Sequence, residues 1–199
     1  SREEIETAFA VAVDEGSGVV VERFIQGDEH RLLVVGDRMV AAARGEVASV
    51  VGDGASTIED LIESQINSDP RRGRGEDHPL NFIRLDSAAR LEVSRQGYSA
   101  ESVPEAGKTV IIQRSGNVSL DVTDLVHPSV ASAVTLAARV VGLDIAGVDL
   151  VASDISRPLE EQGGAIVEVN AGPGLLMHIK PAQGQPRPVG EAIVDHLFP

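Results

Sequence analysis

Apolar side chains at Ile5, Ala8, Phe9 and Ala12 recur at the three-and-four spacing of a single helix face, which predicts an amphipathic helix over residues 2–14. The Asp-Glu-Gly-Ser-Gly run at 14–18 ends it, and the period then changes. A β-branched stretch over 19–25 has strand character and is closed by Gly27-Asp28. A second strand, 31–35, is expected to turn through Gly36-Asp37 into a third at 39–44, because a Gly-Asp pair between apolar runs favours a tight hairpin turn. Gly52-Asp53-Gly54 predicts a loop. Ser56 with Glu59 has the spacing of a capping box, opening a helix whose Ile58, Leu61, Ile62 and Ile66 share a face.

From Asn67 to His78 the composition shifts to Asp, Pro, Arg and Gly, the mark of an exposed loop. Its Arg71, Arg72 and Arg74 either grip an anion or are simply solvated. A short helix is expected within 85–98 and a strand over 109–114. Pro128 suits the first turn of the next helix, where its missing N–H costs nothing. Val130, Val134, Ala137 and Val141 would be that helix's buried stripe and Gly142 its end. Two strands follow, 145–151 and 165–170, joined through Ser156-Arg157-Pro158, and a Gly/Pro/Gln loop over 171–188 leads into a last helix ending at Phe198. No internal repeat is present. The mixture predicts an α+β chain with a mostly antiparallel sheet and flanking helices, and 199 residues suffice for a real core in one large domain or two small ones.

Composition narrows the chemistry. Aromatics are 3%, so the core must rest on Val, Leu, Ile and Ala. With 31 acidic against 17 basic residues the formal charge is −14, which repels polyphosphate backbones and argues against sequence-blind nucleic-acid binding. The absence of cysteine removes disulfides, thiol nucleophiles and zinc–thiolate sites. No apolar run has the length of a membrane span.

Strand residues two apart project from one face. Glu168 and Asn170 therefore point together, with Val167 and Val169 expected on the other side, and Asp149 likewise opposes Val148 and Leu150. If the two strands are neighbours, two carboxylates and an amide oxygen converge. Such hard oxygen donors suit magnesium, although a solvated polar stripe would show the same alternation. Asn170-Ala171-Gly172-Pro173-Gly174 then lets the backbone turn sharply just beyond the candidate ligands.

Taken together, Gly147-Val148-Asp149-Leu150 and Val167-Glu168-Val169-Asn170-Ala171-Gly172-Pro173-Gly174 resemble the metal-binding strands of the ATP-grasp carboxylate–amine ligases. The resemblance implies that Asp149, Glu168 and Asn170 hold magnesium ions bridging the phosphates of ATP. Val21 to Glu29 is similar to the family's adenine hinge, which implies that Glu22, Arg23, Phe24 and Ile25 form the base-binding stretch, the backbone of the last three meeting the base edge, and that Glu29 reaches the ribose. Arg114 resembles the family arginine near the transferred phosphate and acyl group. Arg31, Asn117, Ser119 and Arg187 are weaker candidates for acidic substrate or phosphate, and His127 and His178 are expected to be structural or supporting groups. Further stretches, among them 29–35, 51–54, 69–73, 96–98, 121–128 and 142–149, resemble the branch of the family that lengthens a poly-aspartate backbone. That implies ATP, aspartate and a poly-aspartate primer as partners, a Mur-ligase-like domain elsewhere in a cytoplasmic enzyme, and a homo-oligomer. A ligase adding D-alanine or glutamate, or a non-catalytic interaction domain, are the competing expectations.

Two departures from the family pattern stand out. Only Lys108 and Lys180 occur, both after the hinge, and no Gly-rich phosphate loop precedes Glu22. The chain is thus expected to be the C-terminal part of an ATP-grasp domain, inactive alone. The run Arg114 to Ser119 also reaches Asp121-Val122-Thr123-Asp124 without the Gly-Gly turn the resemblance implies.

Overall fold

A computed structural model of the chain describes residues 2–16, 18–74, 78, 80–114 and 119–199. In chain order the elements are α1 (Arg2–Glu15), β1 (Asp28–Val35), β2 (Arg38–Arg44), β3 (Ala48–Val51), α2 (Ile58–Leu61, continued by a π-helical turn Ile62–Asn67), β4 (Arg72–Gly73), β5 (Leu80–Asn81) and α3 (Ser87–Arg95). There follow β6 (Thr109–Gln113), β7 (Leu120–Asp121), a 3-10 turn (Thr123–Leu125), α4 (Pro128–Val141), β8 (Ile145–Ala152), α5 (Leu159–Gln162), β9 (Ala165–Ala171), α6 (Leu176–Ile179) and α7 (Val189–Leu197). They fall into two compact units, one of Ser1–Phe24, Ala48–Asp69 and Phe82–Arg114, the other of Ile25–Val47, Pro70–Asn81 and Ser115–Pro199.

In the first unit β3 and β6 pair antiparallel, and α2, its π-helical turn and α3 cover them with a core of Val50, Ile58, Leu61, Ile62, Val93, Val110 and Ile112. Two strands leave unpaired edges, and side-chain amides close these and one stretch outside the strands, at Ile83. Gln65 bonds both backbone groups of Val51, Gln96 those of Ile111, and Asn67 those of Ile83. Each amide supplies the donor and acceptor a missing strand would have supplied. The capping box forms one residue later than expected, between Thr57 and Asp60. Ser56 is already taken: Asp53 accepts its hydroxyl and its backbone N–H at 2.7 Å each.

In the second unit the sheet order is β7-β2-β1-β8-β9, every neighbouring pair antiparallel. On one face α4 lays Val130, Val134 and Ala138 over Leu32, Val34, Ala42, Val148 and Leu150, all buried. The stripe therefore runs through Ala138 rather than Ala137 and Val141, and Val141 is 58% exposed. Two adjacent alanines left the helix rotation open. His127 caps α4 by accepting the N–H of Ser129, and Gly142 ends it in the left-handed conformation. The opposite sheet face is divided. One end is apolar, with Leu33, Val35 and Ala41 under Val189; the other carries Glu29, Arg31 and Asp149.

Two expectations are corrected. Residues 18–27 form no strand, and Val20, Val21 and Phe24 are 80–88% exposed; no ladder partner for them exists among the described residues. Within the loop expected over 67–78, Arg72–Gly73 forms β4, which pairs in parallel with β5 just beyond that loop, and Arg72 is buried. Among the described residues no helix is long and apolar enough to cross a membrane.

Candidate functional site

A cleft of about 860 Å³ opens on the polar end of the divided sheet face in the second unit. Its floor is set by register. Arg31 on β1 stands opposite Asp149 on β8, and Asp149 stands opposite Glu168 on β9. Gly147 is opposite Asn170, which places the amide two positions along the same face. A Cβ at Gly147 would come within 2.8 Å of Pro173, so glycine there lets the turn after Asn170 close over the site.

The carboxylate of Asp149 accepts hydrogen bonds from both Nε and Nη2 of Arg31, and from Nδ2 of Asn170 at 3.0 Å. Burial raises the Asp149 pKa above the ordinary carboxylate value; Arg31 lowers it in turn, and Glu168 raises it again. Glu29 is also raised, by burial and then by Asp149, with Arg31 opposing. Both acids are pushed up by burial and by a neighbouring carboxylate, Asp149 for Glu29 and Glu168 for Asp149, and one guanidinium, Arg31, opposes both shifts. A divalent cation would relieve both.

Do these residues fit a metal? Among the described residues no group of three or more His, Cys, Asp or Glu could hold one. The donor set here is two carboxylates and an amide, with Glu168 exposed and the Asn170 amide oxygen accepting no hydrogen bond among the described residues. Oxygen donors only, with positions left for water and phosphate, match the demands of magnesium.

The alternation in β9 fails at one point. Asp149 pairs with Glu168 but Leu150 pairs with Ile166, so Val167 is an extra, bulged residue. It is 54% exposed and joins Glu168 in lining the cleft instead of turning to the core. Together with Leu176, Met177 and Ile179 it gives the cleft an apolar wall. Nothing in the β9 sequence signalled this.

The remaining candidates scatter. Glu29 lines the cleft, as does Ser119, which is buried and donates to the Met177 carbonyl at 2.7 Å. Glu22, Arg23 and Phe24 are exposed residues of the first unit, whereas Ile25 belongs to the second. Arg114, also in the first unit, is 2.8 Å from Glu92. Asn117 lies outside the described residues. Arg187 does not line the cleft. Its guanidinium grips Asp121 and Asp124 at 2.6–3.0 Å. Burial would raise the Asp121 pKa, but Arg187 and Thr123 outweigh it and hold it at about 2. The Arg187 N–H bonds the His178 carbonyl at 2.8 Å, so this knot ties down the segment roofing the cleft.

His178, expected to be a structural or supporting group, does not line the cleft. It is 3% exposed, and its Nε2 has no hydrogen-bond partner. Burial first, then the charge of Arg31, lower its pKa from 6.5 to about 4. In the unfolded chain it binds a proton below pH 6.5 that the folded chain refuses until about pH 4. Its neutral form therefore stabilises the fold fully above pH 6.5, and that contribution is lost as pH falls toward 4. Urea unfolding of the wild type should weaken across this window, and His178→Gln should flatten the slope; parallel curves for the two would refute it.

No family model matches the chain. It is 45% identical to a cyanophycin synthetase of Trichormus variabilis over 100% of its own length and 22% of that protein's. It is 36% identical to the glutathione biosynthesis bifunctional protein GshAB of Clostridium perfringens, over 100% of the chain and 26% of that protein. In structure it superposes with a TM-score of 0.62 on the bifunctional glutathione synthetase of Pasteurella multocida, at 29% identity, covering 99% of the chain and 27% of that protein. The chain thus spans about a quarter of the length of the curated relatives it matches. The match runs unbroken along the whole chain, which has the mostly antiparallel α+β architecture of the ATP-grasp fold and is a segment akin to part of the cyanophycin synthetases.

Proposed function

We propose that this segment carries the metal–nucleotide face of an ATP-dependent carboxylate–amine ligase that adds aspartate to the C terminus of a poly-aspartate (cyanophycin) backbone through an acyl phosphate. The observation that supports it most is the register placing Asp149 opposite Glu168, with Asn170 two positions on, in a cleft of about 860 Å³. When bound, magnesium would neutralise charge that develops on the phosphates during transfer. Asp149, Glu168 and Asn170 would hold it. Glu29 takes the ribose hydroxyls, and the apolar wall at Val167 suits the flat face of a base while keeping water from the phosphates. Arg31, paired with Asp149, would hold that carboxylate in place for the cation. The proposal extends to the backbone at 23–25 for the base edge, to Arg114 for the acyl group, and to a cytoplasmic enzyme whose remaining parts supply the phosphate-binding lysines.

A second reading, an ATP-grasp ligase joining a different amine and carboxylate, draws support from the 36% identity to the GshAB protein. The complete polypeptide containing this segment separates the two. Release of ADP that requires both aspartate and primer is the expected result. Release that instead follows glycine, cysteine or D-alanine would replace the proposed substrate.

A further inference from the structure

We infer that Arg74 receives a carboxylate of the acidic substrate and so helps determine substrate choice, an inference that rests on the ligase reading above. The three arginines of the Arg-Arg-Gly-Arg run have separate fates. Arg71 donates to the Ala182 carbonyl at 2.9 Å, and Arg72, buried, donates to the Asn81 carbonyl at 2.7 Å. These two bonds, with the β4–β5 bridge, anchor the segment. Arg74 is exposed and lines the cleft, and it has no hydrogen bond or ion pair among the described residues. An arginine on an anchored backbone and without a carboxylate partner is an anion receptor in waiting.

Charge decides what it receives. Glu29, Asp149 and Glu168 face the same cleft, in a chain of net charge −14, and repel a second acid. Arg31 is committed to Asp149. Arg44 shares its side of the sheet with His30, opposite to Arg31, and lies 3.5 Å from Asp28 and 3.9 Å from Glu46. Among the described residues Arg74 is thus the arginine of the cleft not already matched to an acid, and its planar fork suits a carboxylate held by two parallel bonds. An amino acid with a second carboxylate, or a primer ending in one, is the ligand class it fits.

The test uses the complete enzyme with Arg74→Gln and Arg74→Lys, both of which should fold normally because the side chain is exposed. Loss of one charge-assisted contact should raise the KM of the acidic substrate by ~10-fold or more in the glutamine variant, and by less in the lysine variant, with kcat and the KM for ATP little changed. Separate titrations of aspartate and primer show which of the two supplies the carboxylate, and a rise for either supports the inference. A rise confined to ATP would make Arg74 a phosphate contact and overturn it, as would three unchanged constants. Should the wild type show no turnover dependent on an acidic substrate, the ligase reading itself falls and takes this inference with it; an active wild type with a normal Arg74→Gln variant sinks the inference alone.

Discussion

Glu168→Gln in the complete enzyme is expected to cut the proposed aspartate-dependent ADP release by ~1000-fold or more, the rate equivalent of roughly 4 kcal/mol of lost transition-state charge stabilisation. The substitution keeps size and hydrogen-bonding reach but removes the charge that a cation needs. Because Glu168 is exposed and has no hydrogen bond or ion pair among the described residues, its loss should leave the thermal midpoint in place. Asp149→Asn should be equally inactive for a second reason as well. It leaves the Arg31 guanidinium, only 30% exposed, without its carboxylate. Destabilisation of about 1–3 kcal/mol should then accompany the loss of activity. The pair of variants therefore separates charge from scaffold. Near-normal turnover in the glutamine variant, at saturating magnesium and ATP, would end the metal assignment.

The second large effect is on folding. Gly27 enters β1 with φ of 142°, and a Cβ there would lie 2.5 Å from the carbonyl carbon of Ala152 and 2.7 Å from the next amide nitrogen. Those are backbone atoms of the β8 end, which cannot swing aside as a side chain can. Gly27→Ala combines a backbone conformation open almost only to glycine with a main-chain clash, so a loss of about 3 kcal/mol or more is expected. Denaturant unfolding should show it as a lower midpoint with an unchanged slope. Since Asp28 pairs with Ala152 and Glu29 with Val151, the surviving folded protein should also misplace Glu29. A midpoint equal to that of the wild type would mean β1 and β8 part more easily here than their spacing implies.

Much of the framework was legible because it follows from local rules. The hairpin turn at Gly36-Asp37, the glycine end of α4, the burial of Ile58, Leu61, Ile62 and Ile66, and the shared face of Glu168 and Asn170 each depend on period or turn chemistry within a few residues. What escaped depends on partners far along the chain or on ties between equal choices. Arg31 and Asp149 are 118 positions apart, so nothing local could reveal that each is the other's counter-ion. Arg187 looked like a spare cation until Asp121 and Asp124 took it from 66 and 63 positions away. Ser56 had the spacing of the cap, but Asp53 holds its hydroxyl and the box forms at Thr57 instead. The run from Val19 to Ile25 had strand propensity, but propensity does not supply a neighbouring strand.

The bulge at Val167 has an evolutionary corollary. With that residue excised, Ile166 would still pair with Leu150 and Glu168 with Asp149, so β9 would merely become regular. Excising Val169 instead would throw Asn170 onto the opposite side of the sheet. Val167 is therefore a slack link, the position where homologous chains can gain or shed a residue and keep their ligands in phase. Length variation in β9 should gather there and nowhere nearer the turn.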